Sequence, residues 1–237
     1  MANDMQNTGN FYKMMGARRA FFRKLTATAL LTVVLANGVY AAQCNSTAVV
    51  SGVTETTPDN RFIVSEDGSV VTDKLSGLMW ARCSMGYTIT PVGKTPVVAC
   101  EVDQATQPSF TWQQALTKAA EIRNTPVVYL KYSNWRVPTF KELNSIIERR
   151  CSAPSVNWDL FPNTKSGFYW SSTPFRLGDS ATTTDVARAL AVDFDGAGMR
   201  SGGLLITAGA AATESDVVYL RLVRCVNATD CPGVPSP

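Results

Sequence analysis

Asn134-Trp135-Arg136-Val137-Pro138-Thr139-Phe140-Lys141-Glu142-Leu143 is the stretch from which the architecture reads outward. Pro138 precedes a helix start, and Thr139 with Glu142 three positions on forms a capping box, each side chain serving the other's backbone amide. Leu143, Ile146 and Ile147 continue it as an apolar stripe at helical spacing. The helix is expected to end near Arg149-Arg150, whose charges suit a helix C-terminus. Upstream the device recurs in Thr111-Trp112-Gln113-Gln114, with Trp112, Ala115, Leu116 and Ala119 on one face. Pro126 cannot continue a helix, so this one should stop near Asn124.

Around the two helices the pattern is of short strands. Residues 42–61 are rich in Thr, Ser and Asn and read as an extended lead-in. Phe62-Ile63-Val64 and Val70-Val71-Thr72 read as a hairpin about Glu66-Asp67-Gly68. Leu78-Met79-Trp80-Ala81-Arg82 reads as a buried strand, and residues 84–110 as a loop. Beyond Cys151 come Gly167–Ser172, then Ala189–Phe194 with the turn Asp195-Gly196, and a last strand Val217–Arg224 of alternating character. Residues 197–216 are rich in Gly, Ala and Thr, a composition that belongs in flexible surface chain. There are no internal repeats.

The chain has 237 residues, enough for one large domain or two small ones. Its 45% hydrophobic content supports a core and excludes a disordered chain. Histidine is absent, which excludes Ser-His-Asp and Cys-His catalysis, His-ligated zinc or copper, and an imidazole base. Residues 1–41 read as a signal peptide. Lys13, Arg18, Arg19, Arg23 and Lys24 face one acid, Asp4; the 15-residue apolar run Leu25–Val39 follows; and Val39-Tyr40-Ala41 offers a cleavage site. A membrane span needs ~20 apolar residues, so an anchor is the lesser reading. Arg18-Arg19 leaves the twin-arginine route open beside the general one. Gln43 before Cys44 is too large for a lipidation site. Removing five of the 22 basic and one of the 19 acidic residues leaves a net charge of −1. Nucleic acid and other polyanions therefore have no bulk attraction to the mature chain.

All six cysteines lie beyond residue 41, and an even count in an exported chain reads as three disulfides among 15 possible pairings. No CxxC pair is present. Proximity favours Cys83–Cys100, worth ~3 kcal/mol by loop closure. Cys225–Cys231 would close a tight C-terminal loop. Cys44–Cys151 then remains, tying the N-terminus to the body for ~4.7 kcal/mol.

An ordered set of motifs resembles the Lcl C-terminal domain family, the C-terminal module of a bacterial collagen-like adhesin. The set is Thr72-Asp73-Lys74-Leu75-Ser76-Gly77-Leu78-Met79-Trp80, Thr111-Trp112-Gln113-Gln114-Ala115, Asn134–Leu143, Phe161-Pro162-Asn163, Tyr169-Trp170-Ser171-Ser172, Val192-Asp193-Phe194 and Leu222-Val223-Arg224. The resemblance implies an α+β, C-type-lectin-like fold, of the variant shared with formylglycine-generating enzymes. Two main helices would pack on short antiparallel strands. It also implies conserved-form cysteines at the positions of Cys44, Cys83, Cys100 and Cys151, with Cys225 and Cys231 additional and paired together. The expected organisation is a signal peptide over 1–41, a lead-in over 42–61, the family domain over 62–227 and a tail over 228–237. No collagen-like repeat is present, so the trimeric adhesin architecture does not carry over.

The function expected is that of an exported, non-catalytic binding or adhesion module, secreted or on the cell surface, with the periplasm as the alternative. A glycan or protein ligand would meet the 173–216 region, through Phe175, Arg176, Arg188, Asp195 and Arg200. The rival role is a structural subunit or tip of a surface fibre or pilus. Trp80, Trp112, Trp135 and Trp170 read as framework, and Arg136 as the partner of Glu142 or a stack on the neighbouring indole. No cofactor or metal is expected. Asp193-Phe194-Asp195-Gly196 has a calcium-loop flavour, but position 204, where an EF-hand needs Glu, is Leu. An enzyme is not expected. The cysteines that copper chemistry would use have disulfide partners, no S-x-x-K motif occurs and no Asp-Thr/Ser-Gly turn occurs, while a carboxylate pair meeting in space stays open. Once the signal is removed, no membrane span is expected, and no nucleic-acid partner.

Overall fold

Gly68, at φ 69°, takes the left-handed conformation that returns the first hairpin on itself. Asp67 completes the turn, its Oδ1 accepting from the Ser65 hydroxyl at 2.7 Å and the Ser69 amide at 3.1 Å. A computed structural model describes residues 43–45, 49–92, 98–102, 108–125, 129–175, 188–196, 203–205 and 217–227. Over these the chain runs β1 (Phe62–Val64), β2 (Val70–Asp73), β3 (Leu78–Ala81), β4 (Thr88–Pro91), β5 (Val98–Glu101), α1 (Trp112–Asn124) and α2 (Phe140–Asn144). It continues through β6 (Phe168–Phe175), β7 (Arg188–Asp193), β8 (Gly203–Leu205), β9 (Val218–Tyr219) and β10 (Val223–Cys225). Three sheets result, with strand orders β1-β2-β3-β10, β4-β5 and β8-β7-β6-β9. All described pairings are antiparallel except β9 on β6. The fold is α+β, mostly strand with few helices; α1 lies against β6, and α2 against β6 and β7.

Both capping boxes form. Thr111 and Gln114 exchange side-chain and amide bonds at 3.1 and 2.8 Å, and Thr139 and Glu142 do so at 3.3 and 2.7 Å. α1 ends at Asn124 as its sequence implies. The second helix does not reach Arg149-Arg150; it stops at Asn144 after five residues. Ile146, Ile147 and Glu148 are each 4% exposed or less, and three consecutive positions cannot share one face of a helix. The chain turns instead and buries all three.

Two further expectations are corrected. The 84–110 loop contains the ribbon β4–β5, pinned at its base by Cys83–Cys100. The last strand, expected over Val217–Arg224, is two short strands in different sheets. β9 pairs with β6 and β10 with β3, so the segment crosses between sheets. Its alternation does not separate a wet face from a dry one, because every residue from Val218 to Val223 is buried. Within the Gly/Ala/Thr-rich 197–216 stretch, Gly203–Leu205 forms an edge strand on β7.

The lead-in is docked rather than merely extended. Cys44 is bonded to Cys151, Val49 bridges Cys151, and the Val50 amide donates to the Arg150 carbonyl at 2.7 Å. Cys225 is also disulfide-bonded, and Cys231, its expected partner, lies outside the described residues. One core cluster packs Trp80 with Leu143, Ile146, Tyr169, Phe194 and Val223. A second packs Trp135 and Trp170 with Ala115 and Ala119 of α1 and with Leu220 and Leu222. Trp80, Trp135 and Trp170 are buried and Trp112 is half-buried, as framework residues should be.

Candidate functional site

Of the five residues expected to meet a ligand, Arg176 and Arg200 lie outside the described residues. Phe175 and Arg188 are cross-strand partners at one end of the β6–β7 hairpin. Asp195 lies beyond its other end, where Phe168 pairs with Asp193. Seven strand residues at ~3.3 Å each separate these ends, so Asp195 does not join Phe175 and Arg188 in one site. Asp195 is exposed, and its amide donates to Asp193 Oδ1 at 2.8 Å within the turn. Asp193 is buried. Among the described residues no three Cys, Asp or Glu side chains cluster closely enough to hold a metal ion.

The other polar motif residues are bound into the framework. Arg136 meets Glu142 through two nitrogens, at 2.7 and 2.6 Å, and Glu142 also accepts the Thr139 amide. Burial pushes the Glu142 pKa up, but Arg136 and Thr139 outweigh it and hold the carboxyl below its usual value. Three buried charges were not visible in the sequence. Glu148 receives the amides of Thr57 and Arg150 at 2.7 and 2.9 Å and the Thr57 hydroxyl at 2.8 Å. Arg82 spans the carbonyls of Leu160, Gly68 and Asp159, and burial pulls its pKa down to about 10 against the pull of Asp159. Arg221, fully buried, donates to the carbonyls of Ala81 and Arg82 and to the Ser84 and Thr164 hydroxyls. Its guanidinium lies 4.8 Å from the Phe161 ring centroid, a cation–π contact. The one sequence signal for Arg221 was its position among Tyr219, Leu220, Leu222 and Val223, where a charge has no wet neighbours.

An open groove of about 430 Å³ runs along the outer side of α1, lined by Ser109, Phe110, Gln113, Gln114, Thr117, Lys118 and Glu121. Residues three and four apart on a helix share a face, which brings Gln113, Gln114, Thr117, Lys118 and Glu121 together. The opposing wall is held from outside the helix. The Phe110 amide donates to the Val218 carbonyl at 3.0 Å, and its carbonyl accepts from Trp170 Nε1 at 2.7 Å. The Val218 amide in turn donates to Ser109 Oγ at 3.2 Å. A second groove, about 290 Å³, lies between α1 and β6 and is lined by Leu116, Ala119, Ala120, Arg123, Arg136, Val137 and Ser172.

A disulfide-braced α+β scaffold with a preformed polar groove is the class of protein these features define. The family model of the Lcl C-terminal domain matches residues 69–224, and the chain belongs to that family. The match opens just before β2 and closes within β10, so it encloses both helices and the α1 groove. No curated protein and no solved structure matches the chain.

Proposed function

We propose that the chain is an exported binding or adhesion module that recognises a glycan or protein ligand without catalysis. The observation that carries this reading is the open polar groove of α1, whose walls are fixed by a capping box on one side and by Trp170 and Val218 on the other. Recognition sites are surface segments held still by a rigid scaffold. The ends of β6 and β7 leading into the 173–216 region, Phe175 and Arg188 among them, extend the surface available to a larger ligand. Membership of a family whose named member is an adhesin supports the role, as does the resemblance to a C-type-lectin-like fold. Asp73, Glu142 and Glu148, the well-shielded carboxylates, are each held by an arginine or by backbone amides, which favours a structural use over acid–base chemistry.

The N-terminal charge and hydropathy pattern supports export. Two disulfides among the described residues accord with an oxidising destination outside the cytosol. No helix among the described residues is long and apolar enough to cross a membrane. The proposed organisation keeps a signal peptide over 1–41, a docked lead-in over 42–61, the domain over 62–227 and a tail over 228–237. Binding of the oxidised exported chain to an array of glycans and matrix proteins, with and without EDTA, tests the module. Reproducible capture supports it, and a silent array under both conditions overturns it. Loss of capture with EDTA would assign a calcium site.

A structural-subunit role has one observation in its favour. β1 is an edge strand of its sheet, and Ile63 on it is 56% exposed. Sedimentation of the purified chain over a concentration series separates the two, since a fibre subunit assembles and a monovalent binding module does not.

A further inference from the structure

We propose that the α1 groove takes a neutral, hydroxyl-rich saccharide of one or two rings and rejects polyanions. The inference rests on the binding reading above and names the ligand class. Its first support is the lining. Gln113 and Gln114 carry amides and Ser109 and Thr117 carry hydroxyls, and each such group can both donate and accept. Gln114 Oε1 is engaged by the Thr111 amide, which leaves its Nε2 donors facing the groove region. Ser109 Oγ accepts one bond from Val218, which leaves its O–H donor and a second lone pair. A saccharide ring presents the matching chemistry: adjacent hydroxyls that donate and accept at close spacing.

Charge is the second support. Lys118 and Glu121 are the charged residues lining the groove, and they pair with each other at 3.2 Å. The lining is therefore electrically neutral. A sulfate or carboxylate would have to take Lys118 from its partner and sit beside the Glu121 carboxylate, a like-charge contact. Third, the groove is preorganised. Phe110 is bonded at both its amide and its carbonyl, and α1 is anchored by buried Ala115 and Ala119. Little ordering entropy remains to oppose a small ligand. Aromatic walls with a few placed polar groups are typical of small-molecule sites, and about 430 Å³ lies near the small end of their range.

The test titrates the oxidised exported chain with neutral mono- and disaccharides, with heparin-type and uronate polysaccharides, and with matrix proteins. Neutral sugars are expected to bind, and to do so equally at ~0.1 M and ~1 M salt, because no charge is recognised. The double variant Gln113→Ala/Thr117→Val, at exposed helix positions, is expected to weaken binding at least tenfold with unfolding unchanged. Arg123→Ala, in the second groove, is expected to leave it unaltered. Neutral binding that survives the double variant, or that falls with Arg123→Ala instead, overturns the assignment to this groove. Binding of only polyanions or proteins overturns the neutral-saccharide inference while the module reading stands. No binding to any of the three ligand classes overturns both.

Discussion

Replacing Glu148 with Ala should cost the domain about 3–5 kcal/mol, because one carboxylate holds the N-terminal lead-in against the body. Glu148 is fully buried and so is Thr57, whose amide and hydroxyl both end on its Oε2. Neither donor can reach water when the carboxylate is removed, and each orphaned buried donor costs ~1–3 kcal/mol. The Thr56 and Arg150 amides also lose an acceptor, but they are only partly shielded and add less. Glu148→Gln keeps one oxygen for Thr57 and turns an NH₂ toward donors, so about 1–3 kcal/mol is expected. Against a typical total of ~5–15 kcal/mol these are large losses. Denaturant unfolding of the oxidised chain measures them, and amide exchange at Thr56 and Thr57 should accelerate in step. A double-mutant cycle with Thr57→Val should return a coupling of ~1 kcal/mol or more. A Glu148→Ala loss below ~0.5 kcal/mol, the level of an ordinary surface change, would refute the reasoning.

Loop length predicts the order of the two disulfides. Removing Cys44–Cys151, which spans 107 positions, should destabilise more than removing Cys83–Cys100, which spans 17, by ~4.7 against ~3 kcal/mol. The reverse order in denaturant melts would refute the loop-closure account. Arg221→Lys should cost ~2–4 kcal/mol despite keeping the charge. An ammonium cannot serve the carbonyls of Ala81 and Arg82 and the hydroxyls of Ser84 and Thr164 together, and equal stability in unfolding experiments would refute this. For acid, burial pushes Asp73 up, but Arg61, Ser76 and the Leu75 amide outweigh it and hold the group below 3.8. Glu142 is likewise held below 4.5. Groups with depressed folded pKa values contribute stability that is present above the unfolded value and lost as pH falls through the folded one. Unfolding free energy from these groups should hold down to ~pH 5 and decline below it, and Arg136→Met should shrink the Glu142 share of that decline. A pH series of unfolding curves that is flat through this window contradicts the assignment.

Where a contact is local, the sequence was legible. Thr111 and Gln114, and Thr139 and Glu142, meet across three residues, so both helix starts could be read directly. Arg136 and Glu142 meet across six residues, around the same helix start. The hairpin of β1 and β2 announced itself through alternating apolar residues and Asp67-Gly68. The motif order sufficed for the family, because its signature residues are the core tryptophans and caps that this framework requires.

Long-range contacts decided the rest. The stripe Leu143, Ile146, Ile147 fits a longer helix, yet the chain turns at Asn144 because Glu148 is claimed by Thr56 and Thr57, which lie more than 90 positions upstream. The 218–225 segment looked like one strand, since nothing local shows that its two ends face different sheets. The groove was hidden for the same reason. Gln113, Gln114 and Thr117 read as the solvated side of a helix. They become a site only when Phe110 is fixed beside them by Trp170, 60 positions away, and by Val218. Composition and spacing by themselves determined the class, the helix caps and the disulfide-braced, histidine-free chemistry, because these are properties of neighbours in the chain. Tertiary structure alone decided which polar residues are buried struts and which are left facing a groove, because burial is settled by what the distant chain brings to cover each one.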